Sequence, residues 1–263
     1  MNQSYLIGID IGTSACKVAL FDRSGCVLAA ANGDYPVYYP KEGWAEQNPE
    51  EWWSAVCGAV RQVIEEASVA PEEIAGVGID GQSWSAIAID RNGHVLTNTP
   101  IWMDTRAQSI CDRLNEEIGA EAIFEVAGNS LQPSYATAKI LWYKENLPEV
   151  YAKIDKILQS NSFIAFKLTG AVSQDLSQGY GLHCFDMRTG KWNEAMCEKL
   201  GIPVEFLPEI VPCDHVVGTV TKKAAEECGL AEGTPVVAGG LDAACGTLGA
   251  GVINPGETQE QGG

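Results

Sequence analysis

Positive charge is scarce in this 263-residue chain: 17 Lys and Arg stand against 35 Asp and Glu, a formal net charge of −18. A surface of that sign repels the nucleic-acid backbone and anionic lipid, so neither nucleic acid nor membrane is an expected partner. A nucleotide stays open, because a few backbone N–H groups and a metal ion can override the overall field locally. No apolar run reaches the roughly 20 residues of a membrane span. The start, MNQSYLIGID, has neither the charged n-region nor the apolar h-region of a secretory leader, so a cytoplasmic location is expected. Histidine is rare and dispersed, at His94, His183 and His215, with no HExxH spacing. The nine cysteines never form a CxxC pair, and an odd number in a chain without a leader argues for free thiols and against structural zinc. Internal repeats and low-complexity tracts are also missing.

What is present is a hydrophobic content of 46% with 20% charged residues, enough for one large or two modest globular units. The opening stretch Tyr5 to Asp22, YLIGIDIGTSACKVALFD, reads as two β-branched strands joined by a Gly-Thr-Ser turn. Gly12 permits a tight turn, and Thr13 and Ser14 add hydroxyls beside backbone N–H groups that can face an anion. Asp10, at the mouth of the turn, is placed to hold a divalent cation on phosphate oxygens. The stretch is not a P-loop, since Lys17 follows no GxxxxG run and no helix follows the turn. Two readings stand side by side: a phosphate-gripping hairpin of a phosphoryl-transfer enzyme, and an ordinary hairpin with a Gly turn.

Further along, DRSG (22–25) predicts a turn and Cys26 to Ala31 a third strand, giving a leading meander of three antiparallel strands. Residues 35–48 form an irregular excursion carrying Trp44, and Asn48-Pro49 starts a helix whose apolar face is Trp52, Val56, Val60 and Ile64. Ile74 to Ile79 and Ala86 to Asp90 are the next strands, the second followed by an Asn-Gly turn. IWMDTR (101–106) leads into a helix expected to run to about Ile118. Helices are expected over 138–146, 148–152, 160–168, 194–200 and 222–228, and strands over 216–220 and 234–238. GIPVEFLPEIVP (201–212) is a Pro-punctuated connector, and GGLDAACGTLGAG (239–251) a Gly-rich exit from the last strand. The GxGxxG spelled by residues 76–81 falls inside a strand, so it is discarded as a dinucleotide signature.

Taken together, GIDIGTSACKVALFD (8–22), WAEQNPEEWW (44–53), IAGVGIDGQ (74–82), IWMDTR (101–106) and PVVAGGLDAACGTLGAG (235–251) resemble the N-terminal half of the FGGY family of carbohydrate kinases, with the xylulokinase-like branch the nearest. The resemblance implies an α/β chain of the actin-like ATPase, ribonuclease H-like fold: a mixed sheet with three leading antiparallel strands and flanking helices. It implies transfer of the ATP γ-phosphate to a sugar or polyol hydroxyl with magnesium. It also implies that residues 1–263 are the sugar-binding lobe, that a C-terminal nucleotide-binding lobe lies outside this chain, and that the chain is a truncated piece. A homodimer is compatible with it.

By the same resemblance, Asp242 is the general base, taking the proton of the attacking hydroxyl. The residues alone equally allow an Asp at the start of a helix. Asp10 is assigned to magnesium, with Gly12, Thr13, Ser14 and Lys17 along the phosphate tail. Gln82, Ser83 and Trp84 stand where the family reads its sugar, with Asp104 and Arg106 of the W-x-D-x-R segment reaching the same pocket. Polyols are bound by amides and carboxylates reading hydroxyls and by an aromatic face against C–H groups. Core packing for Trp84 and a loop-supporting ion pair for Asp104 and Arg106 are the structural alternatives. Xylulokinases carry Gln-Met-His where this chain has Gln82-Ser83-Trp84, which removes a histidine donor and inserts a bulky ring. Two other classes remain to be weighed: an actin-like ATPase lobe serving a chaperone or filament, and an isolated lobe that only binds sugar weakly.

Overall fold

Strict alternation in Tyr5–Ile11 (β1) and Ala15–Asp22 (β2) sends Ile7, Ile9, Ile11, Cys16, Val18 and Leu20 to one buried face, and the two strands pair antiparallel from Tyr5–Asp22 to Ile11–Cys16. The computed structural model describes residues 4–260. Val27–Asp34 (β3) completes the leading meander, longer at its end than the expected 26–31 because residues 32–34 keep pairing with Ala15–Lys17. After the two-residue strand Glu46–Gln47 (β4), Asn48 caps Pro49–Ala67 (α1) by accepting the Glu50 N–H at 3.0 Å. α1 lies against β2 and β3 through Trp52, Val56, Val60 and Val63. It comes so close that a Cβ on Gly33 would stand 2.8 Å from the Ala55 carbonyl oxygen.

Ile74–Gly81 (β5) runs parallel to β1, with Asp10 opposite Asp80. The expected strand over 86–90 is Ile87–Ile89 (β6), and Thr99–Pro100 (β7) pairs with β4. The helix expected to run to Ile118 is Gln108–Leu114 (α2), followed by a wide π turn over Asn115–Gly119 and then Ala120–Ala127 (α3). Ala136–Asn146 (α4), Pro148–Tyr151 (α5), Lys156–Leu158 (β8), Ser160–Thr169 (α6), Ser173–Asp175 (β9) and Leu176–Gly179 (α7) follow. Phe185–Asp186 (β10) and Lys191–Trp192 (β11) pair as a hairpin ahead of Glu194–Leu200 (α8). The Pro-punctuated connector contains Glu209–Val211 (β12), which pairs with β9. Val216–Thr219 (β13), Lys222–Cys228 (α9), Pro235–Val237 (β14), Gly240–Leu241 (β15) and Asp242–Gly249 (α10) end the described chain's regular structure.

The main sheet has seven strands in the order β13-β14-β5-β1-β2-β3, with β15 also beside β5. The parallel centre, β14/β15–β5–β1, buries one face in the first core, while the residues that alternate with it on β1 and β5, among them Gly8, Asp10, Gly78 and Asp80, are half-buried and Leu6 is exposed. One core joins this sheet to α1, α6 and α9; a second joins α2, α3, α4 and α8. The β6–β8 ribbon lies between them: Ile87 and Ile89 face the first core and Ala88 the second. That two-sided burial explains why residues 86–89 carry no polar alternation. Among the described residues, no helix is long and apolar enough to cross a membrane.

Candidate active site

Three parallel strands end at one edge of the sheet, and their ends carry the predicted residues. β1 runs out into the turn at Gly12–Ser14, β5 into Gln82–Trp84, and β15 into Asp242, the first residue of α10. Gly240 pairs with Asp80 and Leu241 with Gly81, so Asp242 emerges beside the end of β5. The split of the last strand into β14 and β15 occurs at Gly239. Its φ is +76°, and a Cβ there would lie 1.7 Å from the Ile79 carbonyl oxygen, so only glycine fits. Ser177 then fixes the next residue by accepting the Leu241 N–H at 2.8 Å while donating to Asp175 at 2.6 Å.

The Gly12–Ser14 turn is held from behind. Tyr35 donates its hydroxyl to the Gly12 carbonyl at 2.7 Å, and Gln47 donates to the Thr13 carbonyl at 2.8 Å. With these carbonyls tied inward, the N–H groups of Thr13 and Ser14 make no backbone hydrogen bond. Trp102, 43% exposed, donates its indole N–H to Thr13 Oγ1 at 3.0 Å and so belongs to this turn. Lys17 reaches back along β2 to Asp10 at 3.1 Å with its side chain 68% exposed, a solvated ion pair of small energetic weight.

Asp10, Asp80 and Asp242 form the acidic side of the site. Burial, then the neighbouring Asp10 charge, raises the pKa of Asp80 to about 8. Asp242 is also raised by burial, although its carboxylate accepts the Ala243 N–H at 2.6 Å. A carboxylate pushed upward is better matched to accepting a proton near neutral pH than an ordinary aspartate.

The other side is neutral. Gln82 is buried, and its amide donates to Gln47 Oε1 at 2.9 Å and to the Gly12 carbonyl at 3.2 Å. Ser83 and Trp84 are half-buried. Trp84 takes φ of +64°, a left-handed conformation costly for a bulky residue, and its ring stacks on Tyr135 with centroids 4.1 Å apart and meets the Tyr180 ring edge at 6.0 Å. The fully buried Lys139 holds this turn by donating to the Trp84 and Ile101 carbonyls at 2.8 Å each and to the Ser134 carbonyl at 2.5 Å. Burial pulls the Lys139 pKa down to about 7 against the charge of Asp104. Around the turn, buried oxygens of Gln82, Gln159 and Gln178 lack hydrogen-bond partners.

Asp104 and Arg106 lie behind this pocket. Asp104 is fully buried, accepts the Ala45 N–H at 2.7 Å and the Arg106 Nε at 2.9 Å, and Arg106 continues to Glu46 at 2.7 Å. The Arg106 guanidinium stacks 3.9 Å over Trp44. The pair thus clamps β4, the strand that carries Gln47. Sequence reasoning passed over Asp80, Gln47, Trp102, Tyr135, Lys139 and Gln159. Of these only Asp80 had a visible local signal, a charge inside an otherwise apolar strand.

A mixed sheet with three leading antiparallel strands, parallel strand ends gathering carboxylates, and helices on its faces is the actin-like ATPase fold. Solved structures bear this out: the chain superimposes on a xylulose kinase from Rhodospirillum rubrum with TM-score 0.91 and 28% identity over 96% of this chain and 52% of that one. It also superimposes on a gluconate kinase from Lactobacillus acidophilus, with TM-score 0.88 and 27% identity over 95% of this chain and 50% of that one. In sequence it is 33% identical to the xylulose kinase of Bacillus subtilis (strain 168) over 97% of this chain and 51% of that protein. The N-terminal domain profile of the FGGY family of carbohydrate kinases matches residues 5–249. The chain belongs to that family. It spans about half the length of the curated relatives it matches.

Proposed function

We propose that this chain is the sugar-binding lobe of an ATP-dependent carbohydrate kinase, most like a pentulose kinase, acting in the cytoplasm on a free sugar or polyol. The observation that carries this is the meeting, at the ends of β1, β5 and β15, of a turn whose Thr13 and Ser14 N–H groups make no backbone hydrogen bond, a carboxylate with a raised pKa and a cluster of amides and aromatic rings. Relatives about twice as long support a second lobe completing the nucleotide site.

In this reading Asp242 accepts the proton of the attacking hydroxyl, whose oxygen forms the new bond to the γ-phosphorus. The bond from that phosphorus to the β,γ-bridging oxygen breaks, and ADP leaves with the electron pair. The N–H groups of Thr13 and Ser14 face the phosphate oxygens, with Gly12 giving close approach and Lys17 at the rim. Gln82 and Ser83 read hydroxyls, and the Trp84 ring lies against C–H groups. Asp104 and Arg106 act on the pocket through the strand they clamp.

Among the described residues no three acidic, histidine or cysteine side chains gather at metal-binding spacing. Magnesium retains several waters and uses one or two carboxylates plus phosphate oxygens, so Asp10, with Asp80 opposite it, fits such an ion. The ion would supply charge neutralisation on the phosphates.

The test is ADP release by the full-length protein across pentuloses, hexuloses, polyols and aldonates, with Asp242→Asn in parallel. The proposal expects stimulation by one sugar or polyol and a loss of about 10²–10⁴-fold in the variant. ATP turnover indifferent to every sugar would favour an ATPase lobe of a chaperone or filament.

A further inference from the structure

Gln47 touches both halves of the site. It is fully buried in β4, donates one amide hydrogen to the Thr13 carbonyl at 2.8 Å and the other to the Pro36 carbonyl at 3.2 Å, and accepts from Gln82 Nε2 at 2.9 Å. The two carbonyls fix which end of the Gln47 amide is which, because a carbonyl can only accept. The Gln47 oxygen must therefore face Gln82, and Gln82 must present its nitrogen. Gln82 spends that nitrogen on Gln47 and on the Gly12 carbonyl at 3.2 Å. Its own Oε1 is left buried with no donor. A buried acceptor without a partner is costly, a cost a bound hydroxyl would remove.

We propose that Gln47 is a positioning residue that fixes the Gln82 amide with its oxygen free for a substrate hydroxyl, and that the same amide links the sugar-reading position to the phosphate turn. This rests on the kinase reading and deepens it. The ring Gly12 carbonyl, Gln82 amide, Gln47 amide, Thr13 carbonyl joins the ends of β1 and β5. Filling the sugar position therefore stiffens the turn that faces the phosphates. The clamp of Asp104 and Arg106 on β4 has its purpose here: Glu46 and Gln47 pair with Pro100 and Thr99, so the IWMDTR segment sets the position of the amide.

The experiment is steady-state kinetics of the full-length protein with its best sugar, comparing Gln47→Met, Gln82→Ala and the double variant, with thermal melts of each. Methionine keeps the side-chain volume and removes every hydrogen bond. Gln47→Met is expected to raise the KM for sugar and for ATP about tenfold each, and to add little sugar KM on top of Gln82→Ala, because it acts through Gln82. Gln47→Glu, which still accepts from Gln82 but cannot donate to Thr13, is expected to recover sugar KM more than ATP KM. A fall in melting temperature with both KM values unchanged, or fully additive sugar KM effects, would overturn the inference while leaving the kinase reading intact. If the unsubstituted protein shows no sugar-dependent ADP release, both are overturned together.

Discussion

Two sides of one strand end differ in kind. On the β1 and β15 side of β5, carboxylates crowd one another: Asp10 lies opposite Asp80, and both raise Asp242 or are raised by it. On the side that runs into Gln82 and Trp84, amides and aromatic rings prevail, and the buried Lys139 donates to three carbonyls. Like charges are tolerated where a cation would balance them. Unpaired neutral oxygens are tolerated where hydroxyls would satisfy them. The two halves of the site thus differ in kind, with crowded carboxylates on one and unpaired neutral oxygens on the other.

This contrast can be broken from the acidic side at Gly239. Replacing it with alanine puts a Cβ into the Ile79 carbonyl and a left-handed strain on the backbone, so Gly239→Ala is expected to lose more than about 4 kcal/mol in denaturant unfolding. Wild-type stability would show that the β14–β15 break does not govern where Asp242 emerges. The neutral side is broken at Lys139. Lys139→Met leaves the Trp84, Ile101 and Ser134 carbonyls without their donor, and a loss of about 3 kcal/mol is expected together with a sugar KM raised far more than the ATP KM. Equal changes in both constants would remove the distinction between the sides.

A loss of similar size is expected as a pH slope from His183, buried next to Tyr135 with centroids 5.0 Å apart. Thr137 Oγ1 accepts the His183 backbone N–H at 2.8 Å and lies 2.9 Å from the ring Nδ1. Burial lowers the His183 pKa to about 4. Between that value and the ordinary 6.5 the unfolded chain binds a proton that the folded chain does not. The contribution is therefore whole above 6.5 and is lost as pH falls through 4, about 3 kcal/mol in all. Urea melts from pH 7 to 4 should show the loss in the wild type and a flatter profile in His183→Asn.

Much of this architecture was legible because it follows local rules. The Asn48 cap with Pro49 behind it, the Gly229 stop after Lys222–Cys228 and the alternation of β1 and β2 each depend on neighbours a few residues away. The short ribbons β4–β7, β6–β8 and β9–β12 were missed or read only as single strands, because two or three residues acquire strand geometry only from a distant partner. The site divides likewise. Asp10 and Gly12 stand beside a turn the residues themselves reveal, and Gln82 and Asp242 are marked by the family resemblance. Gln47 and Lys139 are ordinary helix- or strand-compatible residues whose importance lies in carbonyls contributed by segments far away in sequence. Asp104 and Arg106 were legible as a pair, and their burial shows the pair turned toward β4.

The most direct test follows the label from ATP carrying a radioactive γ-phosphate, incubated with the full-length protein and the sugar that best stimulates ADP release. The account predicts that label appears in a sugar phosphate in step with ADP, and that Asp242→Asn abolishes both. Label released as inorganic phosphate at one rate with or without sugar would contradict it.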